Sequence, residues 1–453
     1  MALDSAHWQH RLEELIVKHE VPGASLAILA DGEITPFAAG ILNLETGVEA
    51  TTDSVFQIGS ITKVYTTTLI MQLVDEGLID LDEPVITYLP DFKTADDETT
   101  KTVTMRHLLS HTSGIDGDLF IDLGRGDDVL ERYVAELATL PQNHEIGATF
   151  SYCNSGFVLA GRLIEVLTGL TWDQAVAARL SKPLGMASVC TLPEEVLRFR
   201  SAFGHITDPE GNQTLAPMWG LPRPLGPAGL INSTAADVLT FARLHLDGGR
   251  SSDGTQVLSE ASVAAMQEHQ IDLPDPHSLG NAWGVGWILF DWKGGPVIGH
   301  DGNTIGQSGF LRIAPEKGVA VSLLVNGGAS RALFNELYSE IFDSLAGITL
   351  PTPIAPPETS VDIDLTPYVG TYERVGVRLE VSKGESGLHV VMTPTGMMAQ
   401  ASPTQEVDLV ALDADGLFAT QLPGSDDWTT VKFYQVGDKP YLHFGVRATP
   451  KTA

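Results

Sequence analysis

The chain has 453 residues, 43% hydrophobic and 19% charged, a soluble globular composition that excludes a disordered chain and is too long for one ordinary core. Asp and Glu number 58 against 27 Lys and Arg, a formal charge of −31. That balance repels phosphate backbones and anionic lipid, so nucleic acid and membrane are not expected as partners. The first predicted element is a helix with Trp8, Leu12, Leu15 and Ile16 on its apolar face and Asp4 or Ser5 as cap. No basic stretch followed by an apolar run precedes it, and no later run is long enough to span a bilayer. With only Cys153 and Cys190 present, a disulfide framework is not expected and a cytoplasmic location is.

Residues 23–30 read as a strand, Asp31-Gly32 as a tight turn, and the run from Glu33 as a second strand. From Ser60 to Gly77 the residues Ile61, Val64, Tyr65, Leu69, Ile70, Leu73 and Val74 recur at helical spacing, with Gly77 as C-cap. Helical and loop patterns then alternate to about residue 280. A second group of strands is predicted at 283–290, 297–300, 308–313 and 319–325, closed by a helix at 331–345. Strands at both ends around a helical middle predict an α+β domain over 1–350, one antiparallel sheet flanked by helices with a helical subdomain. Four prolines within 351–357 make 351–360 a semi-rigid linker. Beyond it, 361–453 carries short alternating runs, at 371–372, 378–381, 388–392, 409–412, 418–421, 431–434 and 441–444, that predict a small antiparallel β-barrel.

Ser60 and Lys63 share one helix face in Gly59-Ser-Ile-Thr-Lys63, so the amine can reach the hydroxyl. A serine needs an adjacent base, and lysine serves only when burial or nearby cations lower its pKa. The helix start adds unpaired N–H groups that favour developing negative charge. In Tyr152-Cys-Asn154, ahead of a periodic helix, Tyr152 is a candidate base if cations lower its phenol pKa. Asn154 can donate to a substrate carbonyl and accept from Lys63, while Cys153 reads as a small buried hydrophobe. In His300-Asp-Gly302-Asn303, the glycine permits close backbone approach, and the Asn303 and Ser60 amides would form an oxyanion hole. His300 is expected to hold a substrate carbonyl or carboxylate, or to poise Tyr152. Each segment alone also reads as structure: a capped helix start, a second capped helix, a satisfied histidine.

Together, the ordered set Ser60/Lys63, Tyr152/Asn154 and His300/Gly302 resembles the penicillin-binding-protein and class C β-lactamase superfamily of serine hydrolases. Segments 106–114, 182–186 and 226–234 resemble it too, and the resemblance covers about residues 8–347. The linker and Tyr368-Val-Gly-Thr-Tyr372 are similar to the lipocalin-like domain that some members append. The resemblance implies a β-lactamase-like fold and an acyl-enzyme on Ser60, with no cofactor and no metal. His107 and His111 read as scaffold, since no third ligand accompanies them.

Penicillin-cleaving members usually carry Lys where this chain has His300, which argues against efficient β-lactamase activity. The expected function is that of a penicillin-binding-protein-type thioesterase, which releases and macrocyclises a non-ribosomal peptide whose C-terminal residue is D-configured. D-aminopeptidase or carboxylesterase activity is the alternative, and a catalytically silent binding relative is a third reading. The expected partners are a peptidyl or other acyl substrate and a peptide-synthetase carrier domain. Arg447, in the last strand, is a candidate clamp for a peptide carboxylate if the barrel overhangs the cleft.

Overall fold

A computed structural model describes residues 3–208, 210–385, 387–396, 403–423 and 427–453. Its larger sheet has nine antiparallel strands. In spatial order they are Val48–Glu49, Glu33–Asn43, Gly23–Ala30, Val319–Val325, Ser308–Ala314, Gly295–Asn303, Ile288–Trp292, Ala282–Trp283 and Ile271–Asp272. The first and last parts of the segment therefore meet at the sheet centre, where Ala24 pairs with Val325 and Leu29 with Ala320. Both faces are covered, so these strands are apolar throughout. Leu26 and Ile28 point to one core and Ala27 and Leu29 to the other.

Helices Ser5–Lys18 and Ser330–Ala346 cover one face, burying Trp8, Leu12, Leu333, Leu337 and Ile341. The first is capped by Asp4, whose carboxylate accepts the His7 N–H at 3.0 Å. The opposite face packs on the helical subdomain, whose central helix is Thr62–Asp75. Every residue from Thr62 to Leu73 is buried, so this helix runs through the interior. Thr67 and Thr68 return their hydroxyls to the carbonyls of Lys63 and Val64 at 2.9 and 2.8 Å, and Thr66 donates to Pro227 O at 2.8 Å. Gly77, at φ 70°, ends the helix in the left-handed region.

The predicted strand 283–290 is two strands. The chain breaks between Trp283 and Ile288, where Gly286 takes φ 85° and leaves no room for a Cβ against Thr67. An uninterrupted apolar run does not reveal such a break. Residues 351–365 form no helix or strand. The C-terminal segment is a nearly closed barrel of eight antiparallel strands, from Gly370–Arg374 to Arg447–Pro450. Its ends meet through Thr371 N–H to Ala453 O and Thr452 N–H to Thr371 O, both 2.7 Å. Alternate residues such as Leu379, Val381, Val390, Leu409, Phe418 and Phe433 fill it. Parts of the predicted barrel, 397–402 and 424–426, lie outside the described residues.

Candidate active site

Ser60 lies in a single 3-10 turn, Gly59–Ile61, that leads into the central helix. Lys63 is on the next turn, fully buried, with its Nζ 3.1 Å from Ser60 Oγ. The same nitrogen donates to Asn154 Oδ1 at 2.8 Å and to the Ala228 carbonyl at 2.7 Å. Burial pushes the Lys63 pKa well below the usual lysine range, and the charge of Arg447 adds to the push. Two of the three outward positions on Nζ face oxygens that only accept, so both must carry protons. When the amine is neutral, its lone pair occupies the third position, which faces Ser60 Oγ. The geometry thus sets a base against the hydroxyl.

Asn154 is the first residue of helix Asn154–Thr168. Cys153 caps that helix: its Sγ accepts the Gly156 N–H at 3.3 Å, and burial raises the thiol pKa to about 12. That thiol is structural, as the sequence suggests. Tyr152 behaves differently from the sequence expectation. Burial raises its phenol pKa, and the Ser60 hydrogen bond and the Arg447 charge only partly offset this. It is a neutral phenol, fit to pass a proton on but not to begin by removing one.

Strand Gly295–Asn303 supplies the third part. The neighbouring strand pairs with it only as far as Ile288↔Gly299, so residues 300–303 offer an open edge to the Gly59–Ile61 turn. A Cβ on Gly302 would lie 1.9 Å from Ile58 O and 2.9 Å from Ser60 N, and one on Gly59 would lie 2.6 Å from Asn303 N. Only glycine fits at either place, and the fit packs the backbone that bears the Ser60 amide closely against the backbone that bears the Asn303 amide.

His300 departs from its expected role. Its Nδ1 is 2.6 Å from the Asp301 carbonyl, an obligate acceptor, so that nitrogen carries the proton and Nε2 keeps a lone pair. Burial lowers the imidazole pKa to about 3, with Lys63 adding to the effect, and the residue is 1% exposed. In this neutral form Nε2 accepts a hydrogen bond and does not donate one to a substrate carbonyl. Behind it, the Asp301 carboxylate is fixed by Arg312 Nη1 at 2.5 Å and Arg331 Nη2 at 2.8 Å. Helping to poise Tyr152, whose ring centroid is 6.4 Å away, is the part of the expectation that this position allows.

The barrel reaches this site. Arg447 lies 5.2 Å from the Tyr152 ring centroid, and its Nε and Nη2 grip Asp118 at 3.0 and 2.7 Å. A second barrel arginine, Arg374, holds the same carboxylate at 2.6 Å. Burial alone would raise the Asp118 pKa, but the charges of Arg447 and Arg374 outweigh it and hold the group below the usual range. Arg447 is therefore engaged with the catalytic segment. Sequence reasoning missed Asp118, which stands among Asp116 and Asp122 in a loop that reads as solvated. It also missed the Ala228 carbonyl, because a backbone acceptor leaves no side-chain signature. His107 and His111 each direct Nδ1 to a protein group, Thr104 Oγ1 and Cys153 N–H, both at 2.9 Å. Among the described residues no cluster of three His, Cys, Asp or Glu could hold a metal, and no helix is long and apolar enough to cross a membrane.

The beta-lactamase family profile matches residues 8–345. Penicillin-binding protein 4 of Amycolatopsis lactamdurans is 49% identical over 382 residues, spanning 83% of this chain and 99% of that protein. Solved structures of SurE, alone and with D-Leu, match at TM-scores of 0.78 and 0.76 with 29% and 28% identity, over 99% of both chains. The D-amino acid amidase of Ochrobactrum anthropi SV3, complexed with L-phenylalanine amide, shares the fold at TM-score 0.63 and 24% identity, over 75% of this chain and 99% of its own. The profile match and the 49% relative agree, and the chain belongs to the beta-lactamase and penicillin-binding-protein family of serine hydrolases.

Proposed function

We propose that Ser60 is the nucleophile of a peptidyl thioesterase that releases and macrocyclises a non-ribosomal peptide in the cytoplasm. Neutral Lys63 takes the Ser60 proton as the ester forms, and Tyr152 relays a proton to the leaving group. The Ser60 and Asn303 amides stabilise the oxyanion, and the Asn154 amide NH2 donates to the acyl chain. A carrier domain is the natural acyl donor. Arg447 has two N–H groups left after those given to Asp118 and Gly445 O, and these suit a peptide carboxylate.

The observation that carries the reading is the barrel turn set against Tyr152. It packs on Tyr152 through the Val446 carbonyl and Arg447, at a site where Lys63, Asn154 and His300 are also buried, and a dry acyl-enzyme favours a bound amine over water. Support comes also from the full-length match to SurE, whose solved complex contains D-Leu. The test is to incubate the protein with linear peptidyl thioesters ending in D- or L-residues and separate ring from acid by mass spectrometry. Cyclic product from the D-terminated substrate, absent with Ser60→Ala, is expected. Acid alone from every substrate would overturn macrocyclisation and leave the hydrolytic alternatives, D-aminopeptidase or carboxylesterase, to be separated by D-amino acid amides and simple esters.

A further inference from the structure

Tyr152 sits on an extended tripeptide, residues 151–153, that belongs to no sheet, yet all three of its amides are engaged. On one edge Ser151 N–H donates to the His111 carbonyl and Cys153 N–H to the His111 Nδ1, both at 2.9 Å. On the other edge Tyr152 N–H donates to the Val446 carbonyl of the barrel at 3.0 Å, and Ala448 N–H donates to Ser151 Oγ at 3.2 Å. This is the alternation of a central β-strand, with a histidine side chain standing in for part of one neighbour. The His111 ring also stacks on the Tyr152 ring, with centroids 4.2 Å apart and planes at 27°.

The two gripping residues share an uncommon backbone. His111 has φ 58° and Val446 φ 62°. Only two other non-glycine residues with positive φ occur among the described residues, Glu20 and Asp31, and both are exposed. Positive φ is uncommon for any residue with a Cβ, less so for histidine than for a β-branched valine, and such conformations persist where the surroundings hold them for a purpose. His111 cannot itself be the base. Its Nδ1 lone pair is taken by Cys153 N–H, and burial with the nearby Lys63 keeps the ring neutral.

We propose that His111 and the Val446 turn form a two-sided clamp that positions Tyr152, which makes the barrel part of the proton-transfer machinery. This rests on Ser60 being the nucleophile and Tyr152 its relay. The test measures acylation of Ser60 by an activated phenyl ester, with kcat and KM taken separately and thermal melting followed in parallel. His111→Phe keeps the ring and loses the acceptor. His111→Asn loses the ring, keeps an acceptor near the place of Nδ1, and tolerates positive φ. His111→Phe is expected to lower kcat about 10- to 100-fold with KM unchanged, because a shift of about 1 Å in a reacting group has that effect.

His111→Asn is expected to stay within about threefold of wild type, since the bond that sets the geometry survives. Val446→Gly frees the barrel turn without removing its carbonyl, and is expected to lower kcat about fivefold or more. Wild-type kcat in both His111→Phe and Val446→Gly would overturn the clamp. So would an Asn variant as slow as the Phe variant, or losses that follow melting temperature alone. A wild type that forms no adduct with the ester would instead refute the nucleophile assignment on which the proposal rests.

Discussion

Replacing Lys63 with Met is expected to slow acylation of Ser60 by about 10⁴-fold, the upper end of what one positioned base contributes. The expectation follows from the three contacts of Nζ. Ala228 O and Asn154 Oδ1 each require a proton from it, and only the third position faces Ser60 Oγ, at 3.1 Å. Met fills the volume but brings no lone pair of useful basicity. Lys63→Arg is expected to fail as well, because a guanidinium stays protonated throughout the working range. The pH profile gives a second check, with its sign fixed by the direction of the shift. Burial depresses the Lys63 pKa, and the neutral amine is the active form. Acylation therefore rises with pH through that depressed value and levels off well below the usual lysine range. Intact-mass timing of adduct formation by a serine-directed phosphonate reads both effects. A Met variant labelled at the wild-type rate would remove Lys63 from the mechanism.

The Ser60–Lys63 pair was legible because its geometry is local: residues three apart on a helix face meet whatever the rest of the fold does. The ordered resemblance added Tyr152, Asn154 and the 300–303 segment, and glycine at 302 stands where a Cβ would strike Ile58 O at 1.9 Å. The central sheet was legible from strands at both ends of the segment. Its break at 284–287 was not, because strands buried on both faces lose polar alternation and present one apolar run. Charge states were hidden too. The sequence cannot show that the Asp301 carbonyl takes the His300 Nδ1 proton, or that burial outweighs Arg447 at Tyr152. Long-range pairing of chargeable loops was equally invisible. Asp118 and Arg447 belong to different segments, and each in isolation reads as a solvated surface group.

That pairing gives the largest expected effect outside the nucleophile. Asp118→Ala leaves Arg447 and Arg374, only 19% and 14% exposed, without their carboxylate. Breaking a buried pair in this way costs about 3–5 kcal/mol, because a desolvated charge is left uncompensated. The other contacts of the interface are weaker. Lys439 and Glu145 are 67% and 81% exposed, and a pair of that kind contributes about 0–1 kcal/mol. Further hydrogen bonds join Tyr441 OH to Asn143 O, Val375 N–H to Asp116, Thr430 to Asp275, Thr149 to Tyr434, Tyr152 N–H to Val446 O and Ala448 N–H to Ser151. The Asp116 carboxylate favours both arginine charges from nearby, but it takes no hydrogen bond from either guanidinium as Asp118 does. The barrel keeps its own apolar core, so the loss is expected at the interface first. The variant should show a separate low-temperature transition by calorimetry and faster proteolytic cutting within residues 351–365. Acylation should fall with it, since undocking takes the Val446 carbonyl from Tyr152 N–H. The same weakening should appear in wild type under acid. Asp118 titrates below its unfolded value, so the stability it contributes is present above about pH 4 and is lost as pH falls through the lower folded value. An Asp118→Ala protein that melts in one transition at the wild-type temperature and acylates at the wild-type rate would show that the two arginines do not hold the barrel in place.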